Sequence, residues 1–261
     1  STEYRSLCTT SPTEPWWSSR AGRCPSPDRD AATVTAVDAT EVNRQVEGAA
    51  EAHQRLLAAL HPVDGIGLTD EMVTRPSRLP AWTVGHVLAH IAQNADGFTR
   101  MFDAAEIGEV GEQYPGGLAQ RNADIESCAD RGAAEHVAAV RDSIYRLEGA
   151  WNRARTAWTG SGRLGTGIVV PITDVPLRRW REVEVHMADL GLRELSLDGH
   201  DIWSGDYVRH DLRRLTMQYN SRASMGLAGL PAPVMALPPS ARLAWLVGRL
   251  DVEGVAPAGV L

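Results

Sequence analysis

The chain has 261 residues, a net charge of −7 and 26 basic side chains, all of them arginine. That length allows a core large enough to need no staples, an acidic balance without a basic patch argues against a nucleic-acid partner, and no apolar run approaches the ~20 residues of a membrane span. Cys8, Cys24 and Cys128 show no C-x-x-C spacing, so neither a cysteine-based zinc site nor a disulfide framework is indicated, and a reducing cytoplasm fits.

Residues 1–33 are rich in Ser, Thr, Pro and Arg and carry no periodicity, despite Trp16 and Trp17; they are expected to be a disordered extension. A first helix is expected from Asp38 or Thr40, with Val42, Val46, Ala49, His53, Leu56, Leu57 and Leu60 on one apolar stripe. His53 reads as a core residue. His61 falls at the helix end before Pro62, where a cation suits the dipole. After the Pro80 turn, Thr83 is a plausible N-cap for a helix that buries Val84, Val87, Leu88, Ile91 and Ala95 and carries His86 and His90 four residues apart.

The Gly-rich connector E-I-G-E-V-G-E-Q-Y-P-G-G reads as a surface loop that shapes access to whatever lies beside it. Residues 118–158 read as a helix interrupted near Gly132. The segment T-G-S-G-R-L-G-T-G-I-V-V matches no phosphate-binding motif. Pro171 and Pro176 flank Asp174, a candidate cap for the next helix. That helix, R-R-W-R-E-V-E-V-H-M-A-D-L-G, ends at Gly191. A smaller unit is expected over 193–261, with helices over residues 207–219 and near the A-R-L-A-W-L-V-G-R-L segment, and no internal repeat is present.

The helix ending at Gly191 carries the chemistry. Glu182 and His186 are four residues apart and share a face. A carboxylate and an imidazole make two-thirds of a metal site, and His90 is the best third member, with His86 one turn before it. Two His and one carboxylate leave a coordination position open, the pattern of catalytic zinc. Glu184 points to another face and is expected to meet solvent or an Arg; Asp189, three after His186, is a candidate outer partner for the imidazole.

Three segments in order, R-L-P-A-W-T-V-G-H-V-L-A-H-I-A-Q-N-A-D, Y-P-G-G-L-A-Q-R-N-A-D-I-E and R-E-V-E-V-H-M-A-D-L-G-L, with the closing V-G-R-L-D-V-E-G-V-A-P-A-G, resemble the mycothiol-dependent maleylpyruvate isomerase family of DinB-like metalloproteins. The resemblance implies a mainly α fold: a DinB-like four-helix bundle over residues 34–192 with a small C-terminal α/β unit over 193–261. It implies zinc, or another divalent ion, on His90, Glu182 and His186, mycothiol as thiol cofactor, and Arg249 as the functional arginine near the C-terminus. It also implies a cytoplasmic, actinobacterial enzyme, acting as a monomer, that turns maleylpyruvate into fumarylpyruvate in aromatic degradation. The thiolate would add to the cis double bond, let it rotate and leave. The alternative is an S-transferase that conjugates mycothiol to an electrophile. A non-catalytic zinc protein of the anti-sigma kind would need a C-x-x-C motif that the chain lacks.

Overall fold

The structure is a computed structural model that describes residues 39–222 and 229–260. The extension expected over residues 1–33 lies outside the described residues.

Up to Gly191 the helices are α1 (Ala39–Leu60), α2 (Asp70–Thr74), α3 (Val84–Glu106), α4 (Gly117–Ala129), α5 (Ala133–Arg153) and α6 (Val175–Asp189). The four long ones, α1, α3, α5 and α6, form the bundle, with α3 packed along α5 and α1 along α6. The heptad-like spacing of the apolar residues dictates this. Val84, Val87, Leu88, Ile91, Ala95 and Phe98 of α3 are buried in one core with Leu56, Ile144, Leu147 and Val183. Gly48 lets α1 approach α6 closely, because a Cβ there would lie 2.4 Å from the Trp180 ring.

Local chemistry sets the helix ends. Thr83 caps α3: its hydroxyl accepts from the His86 backbone N–H, and His86 Nδ1 accepts from the Thr83 N–H at 3.2 Å. Asp174 sits at the N-cap position of α6 but makes no capping bond; its carboxylate lies instead 3.9 Å from Arg178 and 4.0 Å from Arg214. Gly191, at φ +69, stops α6 with the left-handed residue that L side chains rarely supply.

Three short strands, β1 (Gly111–Glu112), β2 (Ser161–Arg163) and β3 (Val169–Pro171), pair in that order, β1 parallel to β2 and β2 antiparallel to β3. The connector and the Gly-rich segment therefore form a small sheet rather than plain loops. Strands of two or three residues carry no readable alternation; here α3 holds them. Gly162 packs on the Met101 side chain, and Gly111 lies against the α3 backbone at Arg100 and Met101.

Beyond Gly191 come α7 (Gly205–Arg222), α8 (Ala232–Met235) and α9 (Pro239–Leu246), with no strand among the described residues. They extend the bundle's own core: Trp180 of α6, Tyr207 and Leu215 of α7 and Trp245 of α9 belong to one buried cluster. Asp211 of α7, fully buried, grips Arg181 of α6 through two bonds of 2.6 and 2.7 Å. No described helix is long and apolar enough to cross a membrane.

Candidate metal centre and its cleft

His90 comes from the middle of α3, and Glu182 and His186 from adjacent turns of α6. One ligand-type atom from each lies within 4.8 Å of the other two. His90 Nε2 contacts Glu182 Oε1, and His186 Nε2 lies 3.5 Å from the same oxygen. The rings of His90 and His186 meet edge to face at 4.7 Å between centroids. Glu182 Oε1 is buried, and the Nε2 atoms of His90 and His186 both approach it. Burying a carboxylate costs free energy that a cation held against it offsets. Two imidazoles and one carboxylate are also the donor set that zinc accepts. The residues present therefore fit a divalent ion.

The electrostatics agree. Burial pushes the Glu182 carboxyl upward, but His90, His186 and Arg179 outweigh it and hold the group well below the usual carboxylate range. Burial lowers His90 to about 4, with Glu182 opposing the shift, so the ring is neutral near pH 7.

The surroundings fix the clustered side chains. Asp189 Oδ2 lies 2.9 Å from His186 Nδ1 and leaves Nε2 facing Glu182. Arg249 grips Asp189 from the other side, Nε to Oδ1 at 2.8 Å and Nη2 to Oδ2 at 2.9 Å. The α3 and α6 backbones are tied by Arg179, fully buried, whose Nη1 donates to the Ile91 carbonyl and to Asn94 Oδ1 at 2.9 Å each. Its Nε donates to His53 Nε2 at 2.9 Å, so His53 carries its proton on Nδ1 and donates to Glu148 at 2.8 Å. Glu184 is buried too; it accepts from Trp180 Nε1, from Ser204 N and from Arg55, the arginine alternative of the two that its position allows.

The cluster opens into a cleft of about 350 Å³. Asn94, Phe98, Gln113, Tyr114 and Leu164 line it together with three arginines, Arg121, Arg178 and Arg181. Arg121 lies 5.7 Å over each of the Trp82 and Tyr114 rings and donates from Nη2 to His90 Nδ1 at 2.9 Å. A larger cleft, about 810 Å³ between α1 and α7, contains none of the three clustered residues.

The structure thus brings His90, Glu182 and His186 together and does not bring Arg249 to the cleft wall; its guanidinium is spent on Asp189. His86 stands apart, its ring occupied by Thr83 and by Glu126 at 3.1 Å. The cleft arginines were not singled out from the sequence. For Arg178 a signal existed, since it precedes Glu182 by one helical turn. For Arg121 none did.

The family model described as "Mycothiol maleylpyruvate isomerase N-terminal domain" matches residues 49–191, more than half of the chain. The chain belongs to this family. The mycothiol maleylpyruvate isomerase domain so matched contains His90, Glu182 and His186 and stops short of Arg249. Two crystal structures of a mycothiol-dependent maleylpyruvate isomerase, one of them a histidine-to-alanine mutant, share the fold. Each aligns at TM-score 0.59 and 23% identity over 69% of this chain and 71% of its own. No curated protein matches the chain.

Proposed function

We propose that this protein is a zinc- and mycothiol-dependent isomerase that converts maleylpyruvate to fumarylpyruvate. The observation that carries the reading is the convergence of His90, Glu182 and His186 on one buried carboxylate oxygen at the base of a cleft, within a domain of the isomerase family. His90 and His186 through Nε2, and Glu182 through Oε1, would hold the ion. When bound, that ion would lower the pKa of mycothiol's thiol, so that the thiolate adds to the cis double bond and leaves after rotation.

The remaining roles fall to the chain. Asp189 orients the His186 ring, and Arg249 fixes Asp189, so the arginine expected to be functional acts by positioning. Arg121 donates to His90 Nδ1, which puts the ring proton of His90 on Nε2 beside Glu182. For Nε2 to ligate, that proton must move to Nδ1, and Arg121 must turn from an acceptor that no longer exists. Phe98, Leu118 and Leu164 add apolar surface to the cleft wall.

The test is formation of fumarylpyruvate from maleylpyruvate by the zinc-loaded protein with and without mycothiol. Turnover only with both is expected. No turnover with both present, alongside conjugation of mycothiol to a neutral electrophile, would replace this reading with S-transfer, which the same three residues would serve.

A further inference from the structure

The three cleft arginines are not equivalent. Arg181 is neutralised by Asp211 through two short hydrogen bonds. Arg178 has no such partner: its nearest carboxylate, Asp174, is 3.9 Å away and shared with Arg214, and its Nε is buried without an acceptor among the described residues. Arg178, Glu182 and His186 occupy successive turns of α6 at four-residue intervals, so Arg178 stands on the same helical stripe as the metal-type residues. Arg121 enters from α4. Its described contacts are the Trp82 and Tyr114 faces, Asn122 and His90, with no carboxylate among the described residues. Two guanidiniums, Arg178 with only the distant, shared Asp174 and Arg121 with no carboxylate among the described residues, in a cleft whose wall offers one carboxylate already committed to the His pair, make a site for a planar anion.

We infer that Arg178 and Arg121 are specificity-determining residues that hold a carboxylate of the electrophile, so that the cleft selects carboxylate-bearing substrates over neutral ones. The inference rests on the reading of the cleft as the substrate site and transfers the substrate-binding cation from Arg249, which Asp189 occupies, to these two. The partly exposed guanidinium of Arg178 offers a fork that a carboxylate fills with two parallel bonds, and the aromatic faces of Trp82 and Tyr114 keep Arg121 extended toward the cleft.

Titration calorimetry on the whole chain tests this with maleate as the dianionic probe and dimethyl maleate as its neutral counterpart. The unaltered protein should bind maleate at least ~10-fold more tightly than the ester. Arg178→Gln should remove most of that preference, Arg178→Lys should restore little of it, and Arg121→Gln should weaken maleate in the same direction. Zinc content should stay at the unaltered level in Arg178→Gln and Arg178→Lys, and Arg146→Gln, on an exposed pair with Asp96, should change nothing. Equal affinity for maleate and its ester, or maleate binding unaffected by both Arg178→Gln and Arg121→Gln, overturns the inference. If maleate binds through Arg178 while mycothiol fails to drive isomerisation, the inference stands and the isomerase reading falls.

Discussion

At the scale of single residues, the site is a set of ring nitrogens whose partners distinguish one histidine from another. His90 and His186 face Glu182, whereas His86 is consumed by its helix cap and by Glu126. His90→Ala, Glu182→Gln and His186→Ala should each abolish stoichiometric metal, measured on the purified protein, while His86→Ala keeps it. Asp189→Asn should loosen metal ~10–100-fold without abolishing it, because it disturbs the orientation of a ligand rather than the ligand itself; competition with a chromogenic chelator reads this out. His53 carries a different consequence. Burial lowers its pKa from 6.5 to about 4, Glu148 opposing and Arg179 adding. The unfolded chain therefore takes up a proton at His53 before the folded one does. Stability from this residue is complete above pH 6.5 and drains away as pH falls toward 4, by on the order of 3 kcal/mol in full. His53→Gln, which can accept from Arg179 and donate to Glu148, should flatten that part of the pH curve; melting curves that fall in parallel for variant and parent from pH 7 to 4.5 would refute it.

At the scale of elements, the contact between α1 and α6 depends on the missing side chain of Gly48. Gly48→Val would push a branched side chain into the Trp180 ring and should cost about 1–3 kcal/mol, seen as a lower denaturation midpoint at unchanged m. A midpoint equal to the parent's would mean that α1 shifts freely. Helices were legible in the sequence where their signals were local. The apolar stripe of α3, the Thr83 cap and the Gly191 stop are each stated by a few neighbouring residues, and the four-residue spacing of Glu182 and His186 placed them on one face. What was not legible depended on distant partners. The strands are too short to alternate and exist because Gly162 and Gly111 fit against α3. Arg249 took its role from Asp189, sixty residues away, and Arg121 from rings contributed by two other segments. A sequence window cannot see a pairing that only the fold creates.

At the scale of the whole molecule, the helices after Gly191 complete the bundle's core and supply a buried counter-ion to α6, the helix of Glu182 and His186. Asp211→Ala would leave Arg181 charged and unpaired in a nearly dry position, which should cost roughly 3–5 kcal/mol. Urea denaturation measures the loss. A double change that also turns Arg181 into Met should recover most of it; no recovery would mean that Asp211 matters for something other than Arg181.

If the proposed zinc is bound, the buried tie from Arg179 to the carbonyl of Ile91, one residue past His90, has a consequence for how fast that zinc exchanges. It pins the backbone of one ligand helix to the other by a bond that owes nothing to an ion. A scaffold completed in this way can surrender its metal and take it back without refolding. Chelator treatment should thus leave near-ultraviolet circular dichroism close to that of the loaded protein, and amide exchange around Ala89–Ala92 and Val183–Met187 should slow only modestly on reloading. Zinc content should return within mixing time rather than on the timescale of folding. Arg179→Met, which keeps the bulk and severs the tie, should convert that quick exchange into slow, hysteretic reconstitution; equally quick recovery in the variant would show that packing alone holds the two helices in register.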